Sequence, residues 1–342
     1  MIFGYNKSDR VLYIIFFASA ILSLAASLLV KKVALFFKIV DFPAQERKKH
    51  KSPVPLLGGL APFSALFILC AALFYFKILP ANLLLPFFWL FIGSTIIMSG
   101  GILDDKYNLP AKWQIIFPVL AIAVVLFGGI KIKFITNPAG GIIFLGVYVS
   151  LMVSFVWLLS ISYTTKILDG LDGLVSGTAI LGALSIFLFT TFSQFKEPSL
   201  AMVSLILAGS FTGFLVLNKY PARIFLGEGG SLFAGFVLGS LAIMTGAKIA
   251  VTLMVFALPL IDLLAVIIKR AMNKKSIFSG DRLHLHYFLV DKGWRPQTVV
   301  YLFWSFAAVL GAVSIFLPSI VKMAVLIIIL AIFFLVDIFL YK

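Results

Sequence analysis

Long apolar blocks, separated by short polar connections, constrain this chain more than any other feature of its sequence. Hydrophobic residues make up 62% of the 342 residues and charged residues only 12%, and the mean hydropathy is +1.14. A water-soluble fold of this length has too little interior to bury so much apolar surface. A lipid bilayer must therefore cover most of the chain.

The length of the blocks predicts transmembrane helices. An α-helix rises about 1.5 Å per residue and needs about 20 residues to cross about 30 Å of hydrocarbon, whereas barrel strands are shorter and alternate in polarity. We therefore predict an all-α polytopic membrane protein with about eleven transmembrane helices. The predicted spans are 11–30, 56–76, 84–103, 113–129, 142–161, 173–192, 200–217, 230–246, 249–268, 299–317 and 320–341.

The sequence gives no sign of a second domain. No internal repeat stands out and no connection is long enough for a separate soluble domain, so we predict one integral membrane domain over residues 1–342. The single cysteine, Cys70, excludes an internal disulfide. The first block is longer than a usual signal-peptide core, and we expect it to be retained as a span.

Charged residues predict the orientation of the spans and a site on one face. Twenty of the 28 Lys and Arg residues lie in connections after odd-numbered spans or at the C-terminus. The positive-inside rule makes these connections cytoplasmic, with the N-terminus outside and the C-terminus inside. Topology alone would explain that bias, but nine of the 13 acids lie on the same face, and acids contribute little to orientation. We therefore predict a site for a divalent metal and phosphates in the connections 31–55, 104–112, 162–172, 218–229 and 269–298.

The first two connections carry candidates that each have a simpler explanation. The basic run 47–51, which ends at Lys51, precedes a Pro-rich turn and a glycine pair, where the backbone can approach a ligand closely. A polybasic patch for anionic lipid is the alternative. Asp104 and Asp105 are adjacent carboxylates, which repel each other unless a cation or a shared proton is present. They favour Mg²⁺ or a basic catalytic role, and two solvated loop acids are the alternative.

The third connection is the most specific of the five. It reads Lys166-Ile-Leu-Asp169-Gly-Leu-Asp172-Gly. Asp169 and Asp172 are three residues apart, so a helical turn would put both carboxylates on one face, and the glycines would clear space for a nucleotide or diphosphate. A purely structural role would have to explain two acids and two glycines in tandem beside a span.

The last two connections add an acid among glycines and a pair of imidazoles. The glycines around Glu228 would leave its carboxylate accessible and let backbone N–H groups line an anion site, and a flexible turn between helices is the alternative. Arg282, His284 and His286 can contact phosphates. Zinc is the rival ligand for the imidazoles, but three histidines and one cysteine in the whole chain argue against a structural zinc site.

Taken in order, these motifs resemble those of the polyprenyl-phosphate N-acetylhexosamine-1-phosphate transferases, glycosyltransferase family 4. The resemblance runs from Asp41 to Gly293. It implies transfer of a sugar 1-phosphate, GlcNAc 1-phosphate above all, from a UDP-sugar to undecaprenyl or another polyprenyl phosphate, with release of UMP and with Mg²⁺ or Mn²⁺ as cofactor. The motifs are Asp41 followed by Arg47-Lys48 and His50, Asp104-Asp105, Asp169-Gly-Leu-Asp172-Gly-Leu, Asn218 followed by Phe225-Leu-Gly-Glu228, and Asp281-Arg282-Leu-His284-Leu-His286.

The resemblance also implies roles for individual residues. Glu228, with Asp104 or Asp172, would hold Mg²⁺ on the diphosphate. Asp104 and Asp105 would face the prenyl phosphate, one of them as a base, and direct attack and a covalent aspartyl intermediate both stay open. The uridine side would be shaped by Asp169, Asp172, Asn218 and Phe225. Phosphates or the sugar would be held by Lys51, Lys112, Lys166, Arg282, His284 and His286.

Four positions depart from the family pattern. A glutamate still supplies a carboxylate that can bind metal, while a lysine in place of an amide can clamp a phosphate or alter the choice of donor. A catalytically silent membrane relative therefore stays an alternative. The departures are Tyr163 and Lys166, where asparagines are usual, Glu228, where aspartate is usual, and Tyr287, where histidine is usual.

Within the family, the chain resembles the UDP-GlcNAc branch more than the phospho-MurNAc-pentapeptide transferases, which remain the alternative. The residues that carry this are Pro259, Asp262, Arg270 and the last motif. Asp262 lies deep in a span and needs a partner, for which Arg270 is the candidate. A secondary transporter would place ionisable residues near mid-span, where only Asp262 and Asp337 qualify.

The expected partners and location follow from the resemblance. We expect a UDP-sugar and a polyprenyl phosphate as substrates, no nucleic acid, and a homodimer as a compatible assembly. The expected location is the cytoplasmic (inner) membrane, with the site facing the cytoplasm, at the first membrane step of cell-wall or surface glycan synthesis.

Overall fold

The architecture comes from a computed structural model that describes residues 7–42, 53–137, 141–193, 196–246, 249–272 and 284–340. The described chain is mostly helical, with one short 3₁₀ helix, Ala81–Leu83. The α-helices are α1 Lys7–Phe36, α2 Leu60–Tyr75, α3 Leu84–Tyr107, α4 Ala111–Gln114, α5 Ile116–Phe127, α6 Val147–Leu168, α7 Leu174–Phe192, α8 Pro198–Asn218, α9 Gly227–Met244, α10 Ile249–Val255, α11 Ala257–Met272, α12 Leu285–Asp291, α13 Pro296–Phe316 and α14 Ser319–Leu340.

Two small antiparallel sheets accompany the helices, and the sequence analysis predicted neither. Strand β1 (Val40–Asp41) pairs with β2 (Val54–Pro55), and β3 (Phe134–Thr136) pairs with β4 (Ile142–Phe144). The fifth predicted span therefore begins in a strand, and its helix α6 starts only at Val147. Hydropathy alone missed this boundary because an apolar strand and an apolar helix look alike over a few residues.

The helices confirm an all-α polytopic membrane protein. Seven described helices are long and apolar enough to cross a bilayer, or eight if α10 and α11, which meet at a bend of 77°, form one span. Three shorter apolar helices, Leu60–Tyr75, Ala111–Phe127 and Ile320–Ile329, lie on the remaining predicted spans. Each predicted span thus coincides with a helix or a helix pair, while the count of eleven and the orientation of the termini remain predictions.

Helices α8 and α9 form the centre of the bundle. The most apolar windows of these helices are 78% and 89% buried, compared with 22% for α1. Small residues allow the close packing: a Cβ on Gly213 would overlap the carbonyl of Ala20, and one on Gly209 would overlap Ser19. Such small-residue contacts are typical of helix packing in membranes, where tight van der Waals contact drives association.

The packing around α9 brings several helix ends together. The Trp157 indole of α6 donates a hydrogen bond of 3.1 Å to the Gly239 carbonyl of α9, and Gly93 of α3 leaves room for Phe236 of α9. As a result, the C-terminal ends of α3 and α6 meet the N-terminal end of α9. We call this region the acidic end, which is defined by Asp104, Asp105, Asp169, Asp172 and Glu228.

Candidate active site

Asp105 is fixed at the beginning of α9. Its Oδ1 accepts a hydrogen bond of 3.0 Å from the backbone N–H of Glu228. Gly227 adopts the left-handed conformation, with φ of 75°, and a Cβ there would collide with the other carboxylate oxygen of Asp105. The partial positive charge of the helix N-terminus attracts this carboxylate. Asp105 therefore joins α3 to α9.

Asp104 has different partners from its neighbour. Its Oδ1 accepts hydrogen bonds from the Leu109 N–H (2.8 Å) and from Gln114 Nε2 (3.0 Å). Gln114 Nε2 also donates to the Leu109 carbonyl at 2.9 Å, and Asn108, at φ of 50°, ends α3 in the left-handed conformation. The Asp104 carboxylate thus organises the turn that leads into α4.

Glu228 is paired with a cation from the same chain. The Lys166 ammonium forms a salt bridge with Glu228 Oε1, and it donates a second hydrogen bond of 3.0 Å to Gln114 Oε1. It also lies 5.4 Å from the centroid of the Tyr163 ring. The two charged side chains are 24% and 16% exposed. The salt bridge is therefore only partly accessible to water.

Asp169 and Asp172 occupy a turn between α6 and α7, not a helical segment. Asp172 Oδ2 accepts a hydrogen bond of 2.9 Å from the Ala222 N–H, which ties the third connection to the fourth. The helical turn that would place both carboxylates on one face does not form, because Gly173, with φ of 80°, starts α7 only after both acids.

Asp169 lies among like charges. Burial of its carboxyl group, followed by the charges of Glu228, Asp105 and Asp172, raises the pKa of Asp169 to about 8. The residue as a whole keeps an exposed surface, so water and ligands can reach it. At neutral pH this arrangement favours a proton on Asp169.

Asn218 stabilises the fourth connection through hydrogen bonds. It is 3% exposed, its Oδ1 accepts a hydrogen bond of 2.7 Å from Ser176 Oγ, and its Nδ2 donates one of 3.0 Å to the Ile224 carbonyl. Phe225 is half-buried, and its N–H donates to the Pro55 carbonyl at 2.9 Å. These contacts give both residues a structural role, and their predicted contact with uridine stays a prediction.

The fifth connection is anchored by a carboxylate of α11. Asp262 Oδ2 lies 2.9 Å from His284 Nδ1, and Asp262 Oδ1 accepts a hydrogen bond of 2.9 Å from the Leu285 N–H. Asp262 and His284 are both buried. The deep aspartate therefore has His284 as a partner. Arg270, the partner that the sequence suggested, is also buried, and its pairing with Asp262 stays a prediction.

His286 and Tyr287 pack over the third connection. The His286 ring stacks parallel to that of His284, at 5.9 Å between centroids, and lies 4.2 Å from the Tyr287 ring. A Cβ on Gly170 would overlap the Tyr287 hydroxyl. The space that Gly170 was expected to clear for a nucleotide is therefore filled by protein.

Glycines beside the first, second and fourth connections serve close packing. A Cβ on Gly101 would overlap the backbone of Gly229, and one on Gly59 would overlap Gly230. The Gly59 N–H also donates to the Leu226 carbonyl at 2.8 Å. Backbone does approach closely at these glycines, as predicted, but the group that approaches is another helix and not a ligand.

The carboxylates around Asp105 favour a cation, but the described residues do not form a complete set of metal ligands. Asp41, Asp104 and Glu228 all lie close enough to Asp105 for their charges to interact, and such crowding favours a cation. Within the described ranges, however, no three His, Cys, Asp or Glu side chains are arranged as ligands of one ion. Mg²⁺ usually takes one or two carboxylates and completes its shell with water and substrate phosphates. The oxygen donors therefore fit an ion that arrives with a diphosphate.

Three further cations were predicted to hold phosphates or the sugar. Lys112 lies exposed on α4, and Lys51 and Arg282 fall outside the described residues. Conversely, sequence reasoning missed Gln114, which joins Asp104 to Lys166. Its only sequence signal is an amide at the start of an apolar segment, which is too common to single out.

Comparisons with known proteins agree with the motif order. A family model described as glycosyl transferase family 4 matches residues 87–246. A probable undecaprenyl-phosphate N-acetylglucosaminyl 1-phosphate transferase of Bacillus subtilis is 29% identical over 89% of this chain and 84% of its own length. A decaprenyl-phosphate N-acetylglucosaminephosphotransferase of Mycobacterium leprae is 30% identical over the same shares. A phospho-N-acetylmuramoyl-pentapeptide-transferase of Chlamydia muridarum is 30% identical over 78% and 84%. The chain therefore belongs to glycosyl transferase family 4, as a multi-pass membrane member.

Proposed function

We propose that this chain transfers N-acetylglucosamine 1-phosphate from UDP-GlcNAc to a polyprenyl phosphate and releases UMP at the cytoplasmic face of the cell membrane. The acidic end is the observation that carries the proposal, because Asp105, Asp169 and Glu228 come from separate segments and lie within interacting distance. The relatives from B. subtilis and M. leprae, which are named for transfer of this sugar phosphate, support the choice of GlcNAc.

The chemistry follows from charge. An oxygen of the prenyl phosphate attacks the β-phosphorus of the donor, the bond from that phosphorus to the bridging oxygen breaks, and UMP leaves with the electron pair. Both reactants are anions, so catalysis depends on positioning and on neutralising phosphate charge. Mg²⁺ bound by Glu228, with Asp104 or Asp172, supplies such neutralisation when it is present.

Residues of the chain supply the rest of the site. Lys166 brings a positive charge next to Glu228, where the donor diphosphate is expected. Asp169, which favours its protonated form near neutral pH, can donate a hydrogen bond from its carboxyl oxygen to a phosphate oxygen. Asp105 holds the N-terminus of α9, which keeps Glu228 in place.

The direct test uses purified protein in lipid nanodiscs that contain undecaprenyl phosphate, with Mg²⁺ and UDP-GlcNAc labelled in the sugar. We expect label in the lipid fraction and one UMP for each lipid-linked sugar. Equal labelling by Glu197→Gln protein and strong loss in Glu228→Gln protein would assign the activity to the acidic end, because Glu197 is an exposed acid at the opposite end of α8. Label in the lipid fraction without UMP, or no label at all, would contradict the proposal.

The same assay should be run with a second sugar donor. The relative from C. muridarum is named for phospho-N-acetylmuramoyl-pentapeptide transfer and covers most of this chain. The same assay with UDP-MurNAc-pentapeptide in place of UDP-GlcNAc separates the two activities. Lipid labelling from the pentapeptide donor alone would replace GlcNAc with MurNAc-pentapeptide in the proposed reaction.

A further inference from the structure

Lys166 is held by residues from three helices. Its ammonium contacts Glu228 of α9, donates to Gln114 Oε1 of α4 at 3.0 Å, and lies over the ring of Tyr163, one turn earlier on its own helix α6. A long side chain with three partners loses the freedom that makes most surface lysines weak partners. The position of the ammonium is therefore built into the site.

Gln114 extends this contact to a second carboxylate. Its Oε1 accepts from Lys166, while its Nε2 donates to Asp104 Oδ1 at 3.0 Å. The amide orientation is determined by these two partners, because only the oxygen can face an ammonium and only the NH₂ can face a carboxylate. The chain Glu228–Lys166–Gln114–Asp104 thus links two carboxylates that were proposed to hold Mg²⁺.

The position of Lys166 conflicts with a divalent cation at the same carboxylate. A metal ion at Glu228 Oε1 would have to approach a fixed positive charge in a site that is only partly exposed, where repulsion is weakly screened. An anionic diphosphate would change this balance, since it offers the ammonium another partner.

We propose that Lys166 is an internal competitor for the cation position at Glu228, which makes divalent-metal binding depend on the nucleotide diphosphate. Without nucleotide, the ammonium neutralises Glu228 and weakens metal binding. With nucleotide, the ammonium pairs with the diphosphate and the carboxylate becomes available to the metal. Because coupling between two ligands is reciprocal, metal and nucleotide then strengthen each other's binding. The nucleotide part of this inference rests on the proposed function.

The test measures Mn²⁺ binding by electron paramagnetic resonance on protein in nanodiscs, with Mn²⁺ alone and with Mn²⁺ plus UDP. Lys166→Met keeps the aliphatic stem and removes the charge, and we expect it to bind Mn²⁺ alone at least about tenfold more tightly than the wild type, because one unit charge no longer opposes the ion. UDP should tighten Mn²⁺ binding at least about fivefold in the wild type and less than twofold in the variant.

Three variants control the experiment. Lys166→Arg keeps the charge and should bind Mn²⁺ as weakly as the wild type. Lys106→Met removes a cation that is exposed near the end of α3 and faces Tyr107, and it should leave Mn²⁺ affinity within twofold of the wild type. Glu228→Gln combined with Lys166→Met should lose the tight binding, which assigns the ion to Glu228.

Each outcome decides the inference. Equal or weaker Mn²⁺ binding by Lys166→Met, or tightening that survives Glu228→Gln, would overturn it. Lys166→Gln serves in place of Lys166→Met if the latter does not elute as a single species. Mn²⁺ binding is measured without a sugar donor. Tight binding by Lys166→Met, together with no GlcNAc transfer by the wild-type protein, would therefore refute the proposed function and leave the competition in place.

Discussion

Two carboxylates of this molecule, Asp262 and Glu228, each contact one basic side chain, but the surroundings of the two contacts differ. Asp262 and His284 are 4% and 7% exposed, and both oxygens of Asp262 have hydrogen-bond partners. Glu228 and Lys166 keep more of their side chains exposed and lie beside other carboxylates. A satisfied, buried contact stabilises the fold, whereas a partly exposed contact among like charges can exchange partners. The comparison separates an anchor of the fifth connection from the proposed ligand site.

Removal of the Glu228 charge should have the largest effect on activity. We expect Glu228→Gln to lower sugar-phosphate transfer at least about 100-fold, because Glu228 is the carboxylate proposed to hold the metal that neutralises charge at the diphosphate. Thermal unfolding of the purified protein should shift little, since the glutamine can still accept a hydrogen bond from Lys166. If the unfolding temperature of Glu228→Gln fell as far as that of an Asp262 variant, the two contacts would both stabilise the fold and the comparison would fail.

Removal of the Asp262 carboxylate should act mainly on stability. We expect Asp262→Ala to destabilise the protein by about 3 kcal/mol, because two buried hydrogen bonds to one carboxylate are lost. Denaturant titration in detergent measures this, and the folded fraction should retain Mn²⁺ binding. Wild-type stability in this variant would show that the contact with His284 does not anchor the fifth connection.

The third prediction concerns pH and has the smallest expected effect. The pKa of Asp169 is raised from 3.8 to about 8 in the folded protein, so the folded state holds a proton that the unfolded state releases. Its contribution to stability is complete below about pH 4 and is lost as the pH rises towards 8. The unfolding temperature of metal-free protein should fall over this window.

Asp169→Asn is the matched variant for this prediction. It keeps the shape of the neutral acid and removes the ionisation, so its unfolding temperature should depend less on pH than that of the wild type. Exposure of the residue to water limits the size of the difference. If the unfolding temperatures of the two proteins depended on pH in the same way, the raised pKa of Asp169 would be contradicted.

The apolar spans and the acids were readable from the sequence, but the roles of the glycines were not. A missing Cβ indicates that something approaches closely, yet the sequence does not say what approaches. Gly101 faces Gly229 of another helix, and Gly170 faces Tyr287. Whether Asp169 and Asp172 lie in a helical turn was likewise left open by the sequence, and the structure starts α7 only after Gly173.

The four departures from the family pattern also separate what the sequence shows from what only the structure shows. Their positions could be named from the sequence alone, but three of them form one contact unit, with Tyr163 against Lys166 and Lys166 against Glu228. The fourth, Tyr287, packs over Gly170. Nothing in the sequence suggested that Lys166, which replaces the usual amide, and Glu228, which replaces the usual aspartate, would form a salt bridge.

The sequence by itself determined that the chain enters a membrane as helices and which carboxylates are available at their ends. It could do so because hydropathy and block length are local properties, and each segment must by itself be long and apolar enough to span the bilayer. Only the tertiary structure decided the partners of Asp262, Asp104 and Glu228. The contacts of Asp262 and Glu228 join different helices or connections, and the contact of Asp104 crosses the turn from α3 into α4. All of them depend on how closely small residues let the helices pack.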